Sequence, residues 1–202
     1  MAEPEVVFFD IGGVLLTNGW DHDSRGLAVT QFALDAEFEQ RHRALAIDLD
    51  RSAITLDSYL DRVVFDRPRT FSRADFIAFM QGQSKPYDET LAVLDDVVRC
   101  GRYRVFALNN ESRELNGYRI TTYELERRFH GFLSSCYLGL AKPDPAIYQR
   151  ALEIVQRPAQ ACVFVDDRAE NCAPAAALGI RTIQHSSAAT TRSALRQLGV
   201  AL

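Results

Sequence analysis

Short apolar runs and helical periods alternate along most of the chain. Val6-Val7-Phe8-Phe9 is a continuous apolar run between Glu5 and Asp10. That pattern predicts a strand buried on both faces, as in a parallel sheet. Similar runs recur at Arg104–Leu108 and Cys162–Val165, with weaker ones at Arg181–Gln184 and Cys136–Leu138. Helical patterns fall between them. Asp88–Val98 carries Leu91, Val93, Leu94, Val97 and Val98. Asp144–Val155 carries Ile147, Tyr148, Ala151, Leu152 and Val155, and Ala173–Leu178 stops at Gly179, a helix-ending residue. Strands alternating with helices predict an α/β fold with a doubly wound, mainly parallel sheet.

One stretch breaks the alternation. From Thr17 to Lys85 the periods are helical, at 27–45, 56–65 and 72–81, with Ser72 and Asp75 forming a helix start. This predicts an all-helical cap, residues 17–86, inserted into a core made of 1–16 and 87–202. Pro86 reads as the return hinge.

Composition narrows the function. The chain has 202 residues, 47% hydrophobic and 25% charged, with formal net charge -4. It has no basic stripe for nucleic acid and no apolar run near the ~20 residues that span a bilayer. The N-terminus lacks the basic region of a signal peptide. Cys100, Cys136, Cys162 and Cys172 match no zinc spacing. Free thiols in a reducing, cytoplasmic compartment are expected. His22, His42, His130 and His185 are scattered, and Arg41 and Arg43 read as a solvated helix face. Trp20 fits either the core or a position facing the site.

In an open α/β sheet, ligands bind beyond the carboxyl ends of the strands. Asp10 ends the first run, Asn109 and Asn110 end the second, and Asp166 and Asp167 end the third. Lys142 lies in the loop Ala141-Lys-Pro-Asp-Pro145. Each alone suits a cap or a turn. Converging on one rim, they suit a phosphate site. Crowded carboxylates need a cation, and a hard divalent ion, Mg²⁺ before Ca²⁺, fits oxygen ligands. Lys142 supplies a point charge for a phosphoryl oxygen, and Asn109 and Asn110 supply amide donors. A carboxylate can attack phosphorus and form an acyl phosphate.

The segments Phe8–Leu16, Arg104–Asn109, Lys142-Pro143 and Val165–Asn171, in that order, resemble the haloacid dehalogenase superfamily. The nearer likeness is to sugar-1-phosphate phosphatases and the phosphatase domain of soluble epoxide hydrolases, through Lys142–Tyr148 and Asp166–Asn171. The resemblance implies a Rossmann-like core and Mg²⁺-dependent hydrolysis of a small phosphorylated metabolite, sugar phosphates among the candidates. Asp10 would be the nucleophile. Asp10, the Gly12 carbonyl, Asp167 and Asp166 would form the metal site, and Asn109, Asn110 and Lys142 would hold phosphate. Two positions depart from the pattern. Gly12 stands where an Asp usually serves as general acid and base, and Asn109 stands for Ser or Thr. Without that acid, catalysis leans on leaving-group acidity, unless water, a substrate hydroxyl or a cap carboxylate substitutes. The alternatives are a weakly active or non-catalytic relative that binds a phosphorylated ligand or a protein, and a dehalogenase. The Asp166-Asp167 pair speaks against the latter. A phospho-receiver domain would lack the long helical insert.

Overall fold

The computed structural model describes residues 2–202. The strands are β1 (Val6–Phe9), β2 (Arg104–Ala107), β3 (Gly131–Phe132), β4 (Cys162–Asp166) and β5 (Arg181–Gln184). All pair in parallel, in the order β3-β2-β1-β4-β5. Four helices follow β1: α1 (His22–Gln31), α2 (Phe38–Asp50), α3 (Leu56–Val63) and α4 (Arg73–Gly82). The remainder are α5 (Asp88–Arg99), α6 (Arg113–Thr122), α7 (Ser135–Leu138), α8 (Pro145–Val155), α9 (Ala169–Ala177) and α10 (Ala188–Gln197).

Strand alternation explains why the central runs are apolar throughout. Successive side chains point to opposite faces of the sheet. Val7, Phe9, Val163 and Val165 join one buried cluster with Leu94 and Val97 of α5 and Leu195 of α10. Val6, Phe8, Cys162 and Phe164 join a second with Ile147, Tyr148 and Ala151 of α8. Both faces are therefore covered. Three of the five strands deliver a polar residue to the same edge: Asp10 after β1, Asn109 after β2, Asp166 at the end of β4.

The expected strand at Cys136–Leu138 is helix α7, closed by Gly139 at φ +68°. The sheet's edge is instead the two-residue β3, which pairs Gly131 and Phe132 with Phe106 and Ala107. Three residues hold too little pattern to separate the two states, and a short strand suits an edge. The period at 27–45 is also not one helix. It breaks at Ala33, φ +47°, and Asp35 accepts the Glu37 N–H at 3.2 Å.

No strand lies between residues 17 and 86 among the described residues. The helices there share their own core, with Phe38, Tyr59, Leu60, Phe76 and Met80 almost fully buried. Trp20 packs edge-on against Phe38 and Phe76 and donates its indole N–H to Tyr59 Oη at 3.0 Å. Two linker segments join this layer to the sheet. Thr17 N donates to the Lys85 carbonyl at 2.9 Å and Tyr87 N to the Leu15 carbonyl at 2.9 Å. No helix is long and apolar enough to cross a membrane among the described residues.

Arg41 is not on a solvated face. It donates to both oxygens of Asp35, at 2.8 and 3.0 Å, and to the Val63 carbonyl at 3.0 Å. Arg69 joins Asp35 at 3.2 Å and Asp66 at 3.1 Å. The Arg41 hydrogen bonds hold the Asp35 carboxyl well below the usual carboxylate range, against the opposing effect of burial. A depressed folded pKa contributes stability above the unfolded value, near 3.9, and loses it as pH falls through the folded value. Asp35→Asn should therefore cost about 1–2 kcal/mol at pH 7 and less below pH ~4, a difference that urea melts at the two pH values measure.

Candidate active site

The loop after β1 is a tight turn. Asp10 N donates to the Val165 carbonyl at 2.9 Å, and Leu15 N and Leu16 N both donate to the Ile11 carbonyl at 2.9 Å. This fixes Asp10 at the sheet edge, 7% exposed. Its Oδ1 accepts the Ile11 N–H at 2.8 Å and lies 3.0 Å from Lys142 Nζ. Lys142 Nζ also donates to Asp166 Oδ2 at 2.6 Å. Asp166 is fully buried, and Asn171 Nδ2 and the Arg168 N–H complete its partners at 3.0 and 2.9 Å.

Asp167 is placed differently. Carboxylate oxygens of Asp10, Asp166 and Asp167 come within 4.8 Å of one another. Asp167 Oδ1 is buried with no hydrogen-bond partner. An ideal Cβ at Gly13, φ +75°, would lie 2.4 Å from Asp167 Oδ2, so glycine is needed there for both space and conformation. Three carboxylates thus face one ammonium. Burial raises Asp10 to about 7, with Lys142 opposing and Asp166 reinforcing. Burial and then the Asp166 charge raise Asp167. Burial works against the Lys142 ammonium, but the two carboxylates outweigh it and raise its pKa. An oxygen-only donor set with surplus negative charge and one orphaned oxygen fits a hard divalent cation.

The asparagines do not both face the site. Asn110 clamps the Lys142 backbone, donating to its carbonyl at 2.8 Å and accepting its N–H at 2.9 Å. Asn109 is 1% exposed and turned inward. Its amide donates to Asn116 Oδ1 at 3.0 Å and accepts from Ser134 Oγ at 2.7 Å. Its side chain therefore bonds within the core and does not line the cavity over Asp10.

A cavity of about 420 Å³ opens over Asp10, Gly12, Asn110 and Lys142. The helical insertion closes it with Trp20, Arg25, His42 and Asp50, and the core adds Glu111, Arg119 and Arg168. Trp20 serves both the core and the cavity wall. His42 is 8% exposed and bonds Tyr59 Oη at 2.8 Å; burial lowers it to about 4 and keeps it neutral. Asp50, Glu111 and Arg119 line the cavity without belonging to any of the strand-end motifs. Glu111 follows Asn110 directly, a proximity that could have signalled it. Asp50 and Arg119 carried no signal.

Residues 4–179 match the family model for a haloacid dehalogenase-like hydrolase, and the chain belongs to that family. It is 37% identical over 75 residues to bifunctional epoxide hydrolase 2 of Rattus norvegicus, covering 37% of this chain and 13% of that protein. It is 34% identical over 70 residues to the sesquiterpene phosphatase astK of Aspergillus oryzae, covering 35% and 36%. In structure it is similar to the HAD family enzyme BT-2542 of Bacteroides thetaiotaomicron, solved with magnesium and inorganic phosphate. That match has TM-score 0.76 and 20% identity over 91% of this chain and 95% of that one. At such identity the likeness shows the fold.

The unpartnered Asp167 charge makes a direct forecast. Asp167→Asn removes a half-buried carboxylate that faces Asp166 and whose Oδ1 has no hydrogen-bond partner, so the metal-free protein should melt higher. A gain of about 1 kcal/mol corresponds to roughly 2–4 °C at this size. The same variant should lose any rise in Tm that Mg²⁺ gives the natural chain. Calorimetry in EDTA and in Mg²⁺ measures both.

Proposed function

We propose that the protein is a Mg²⁺-dependent phosphomonoesterase that hydrolyses a small phosphorylated metabolite through an aspartyl phosphate on Asp10. The observation that carries this is the buried Asp10–Lys142–Asp166 ion group beside the orphaned Asp167, at the floor of a polar cavity. Asp10 Oδ1 is held by the Ile11 N–H and Lys142. That leaves Oδ2 to attack phosphorus in line with the departing oxygen. Water then attacks the acyl phosphate and frees Asp10.

Lys142 keeps one ammonium hydrogen for a phosphoryl oxygen, since Asp10 and Asp166 take the other two. Asn110 fixes that lysine through its backbone. Asp10, Asp167 and the Gly12 carbonyl would hold Mg²⁺, with Asp166 orienting the site from behind. Mg²⁺ there would neutralise the carboxylates and the incoming phosphate. The helices of residues 17–86 act as a cap that screens the reaction from water.

The cavity wall supports a hydroxylated leaving group, sugar phosphates among the candidates. Arg25, His42 and Asp50 offer donors and acceptors where a terpenyl chain would want apolar contacts. The four free thiols support a reducing compartment such as the cytoplasm.

Asp10→Asn keeps the shape of the side chain and removes the nucleophile. Phosphate release from phosphomonoesters should fall to background in this variant, and in the natural protein after EDTA treatment, returning with Mg²⁺. Undiminished release in either case would refute the reading.

A further inference from the structure

Position 12 has no side chain, and beside it stands a charged cluster with no task in the chemistry above. An ideal Cβ at Gly12 would lie 3.1 Å from Asn18 Oδ1 and 3.7 Å from Arg119 Nη1. Arg119 is 2% exposed. Its guanidinium meets Glu111 Oε2 at 3.0 Å, the Asn18 carbonyl at 2.8 Å and Ser84 Oγ at 3.0 Å. Glu111 is also buried, and its Oε1 accepts the Ser112 N–H at 2.9 Å. The place where an acid would ordinarily stand is thus bordered by a fixed arginine–glutamate pair.

Asp50 adds a second carboxyl to this wall. It is the last residue of α2 and lines the same cavity as Asp10. Ser135 Oγ fixes its backbone by donating to the Asp50 carbonyl at 2.7 Å. Its carboxyl makes no hydrogen bond or ion pair among the described residues. Glu111 from the loop after β2, Arg119 from α6 and Arg168 from the loop after β4 line the same cavity, and their charges act on it. Tyr59 of α3 and Cys136 of α7 also feel its charge. Burial, then the Glu111 charge, raise Asp50 to about 7, while Arg119 and Arg168 oppose them. Burial lifts Cys136 to about 12 and raises Tyr59 too, so neither ionises near neutrality. A carboxyl that carries its proton near neutral pH is suited to act as a general acid.

We propose that Asp50 protonates the leaving group, performing from the helical insertion the task that position 12 lacks; this rests on the phosphatase reading of Asp10. In the first half-reaction an Asp10 oxygen bonds to phosphorus as the bond from phosphorus to the leaving oxygen breaks. The Asp50 O–H bond breaks with it, and the departing oxygen leaves as a neutral alcohol. In the second, water attacks phosphorus, the bond to Asp10 breaks, and the water proton returns to the Asp50 carboxylate. Both carboxyl groups are restored, and no other acid is consumed. Glu111 and Arg119 are positioning residues. The Glu111 charge keeps the proton on Asp50, and Arg119 holds Glu111 in place.

The test compares the natural protein with Asp50→Asn, both with Mg²⁺, on aryl and alkyl phosphates. The natural protein should show a shallow dependence of kcat/KM on leaving-group pKa. Asp50→Asn should steepen it, losing about 10²–10⁴-fold on alkyl phosphates and far less on aryl ones. The fall in kcat/KM above pH ~7 should vanish with Asp50. Glu111→Gln should move that fall to lower pH, because it removes a charge that favours the proton. Should Asp50→Asn not fold, Asp50→Ser decides the same comparison. An active natural protein whose slope and pH profile are unaltered by the Asp50 variant overturns this proposal alone. A natural protein inert to every phosphate overturns the reading of Asp10 and this proposal with it.

Discussion

Lys142 reaches two carboxylates at once, Asp10 at 3.0 Å and Asp166 at 2.6 Å, and is itself only 4% exposed. Burying such charges costs several kcal/mol for each ion, and breaking the group by removing one partner typically costs 3–5 kcal/mol. Much of the surrounding architecture serves this group. Phe164 lies under the ammonium at 5.3 Å, Asn171 and the Arg168 N–H occupy the remaining face of Asp166, and Asn110 grips the lysine backbone on both sides. With Lys142 shared by Asp10 and Asp166, the charge of Asp167 is left over. That surplus is what would draw a divalent cation to the site.

The helical insertion is tied to this centre through few but buried contacts. Arg119 touches both linker segments, at Asn18 and Ser84, and Tyr123 Oη donates to the Ser84 carbonyl as well. Gly19, φ +72°, is required because a Cβ there would fall 1.9 Å from Arg119 Nη2. Glycines at 12, 13 and 19 thus leave room for Asn18 and Arg119, for Asp167 and for Arg119 in turn. Backbone close to charged side chains is how the loop after β1 admits both Asp10 and its charged neighbours.

The sheet was legible because its central strands are buried on two faces and leave unbroken apolar runs. Asp10, Asp166, Asp167 and Lys142 were legible because strand-end position and motif order point to one edge. Other features were not. Cys136–Leu138 was too short to declare its state. The break at Ala33 leaves Asp35 to meet Arg41 and Arg69, and no local period reveals it. The inward pairing of Asn109 was hidden because the sequence shows neither Asn116 nor Ser134 beside its amide. Asp50 and Arg119 come from helices distant in the chain, and only the fold brings them to one cavity.

The central claim is that Asp10 becomes phosphorylated during turnover. Acid quenching of the Mg²⁺-loaded protein during hydrolysis of an aryl phosphate, followed by peptide mass spectrometry, tests it most directly. The account predicts one phosphoryl group on the peptide that contains Asp10, absent from Asp10→Asn. A phosphoryl group on another residue, or steady phosphate release with Asp10 unmodified at every quench time, would contradict it.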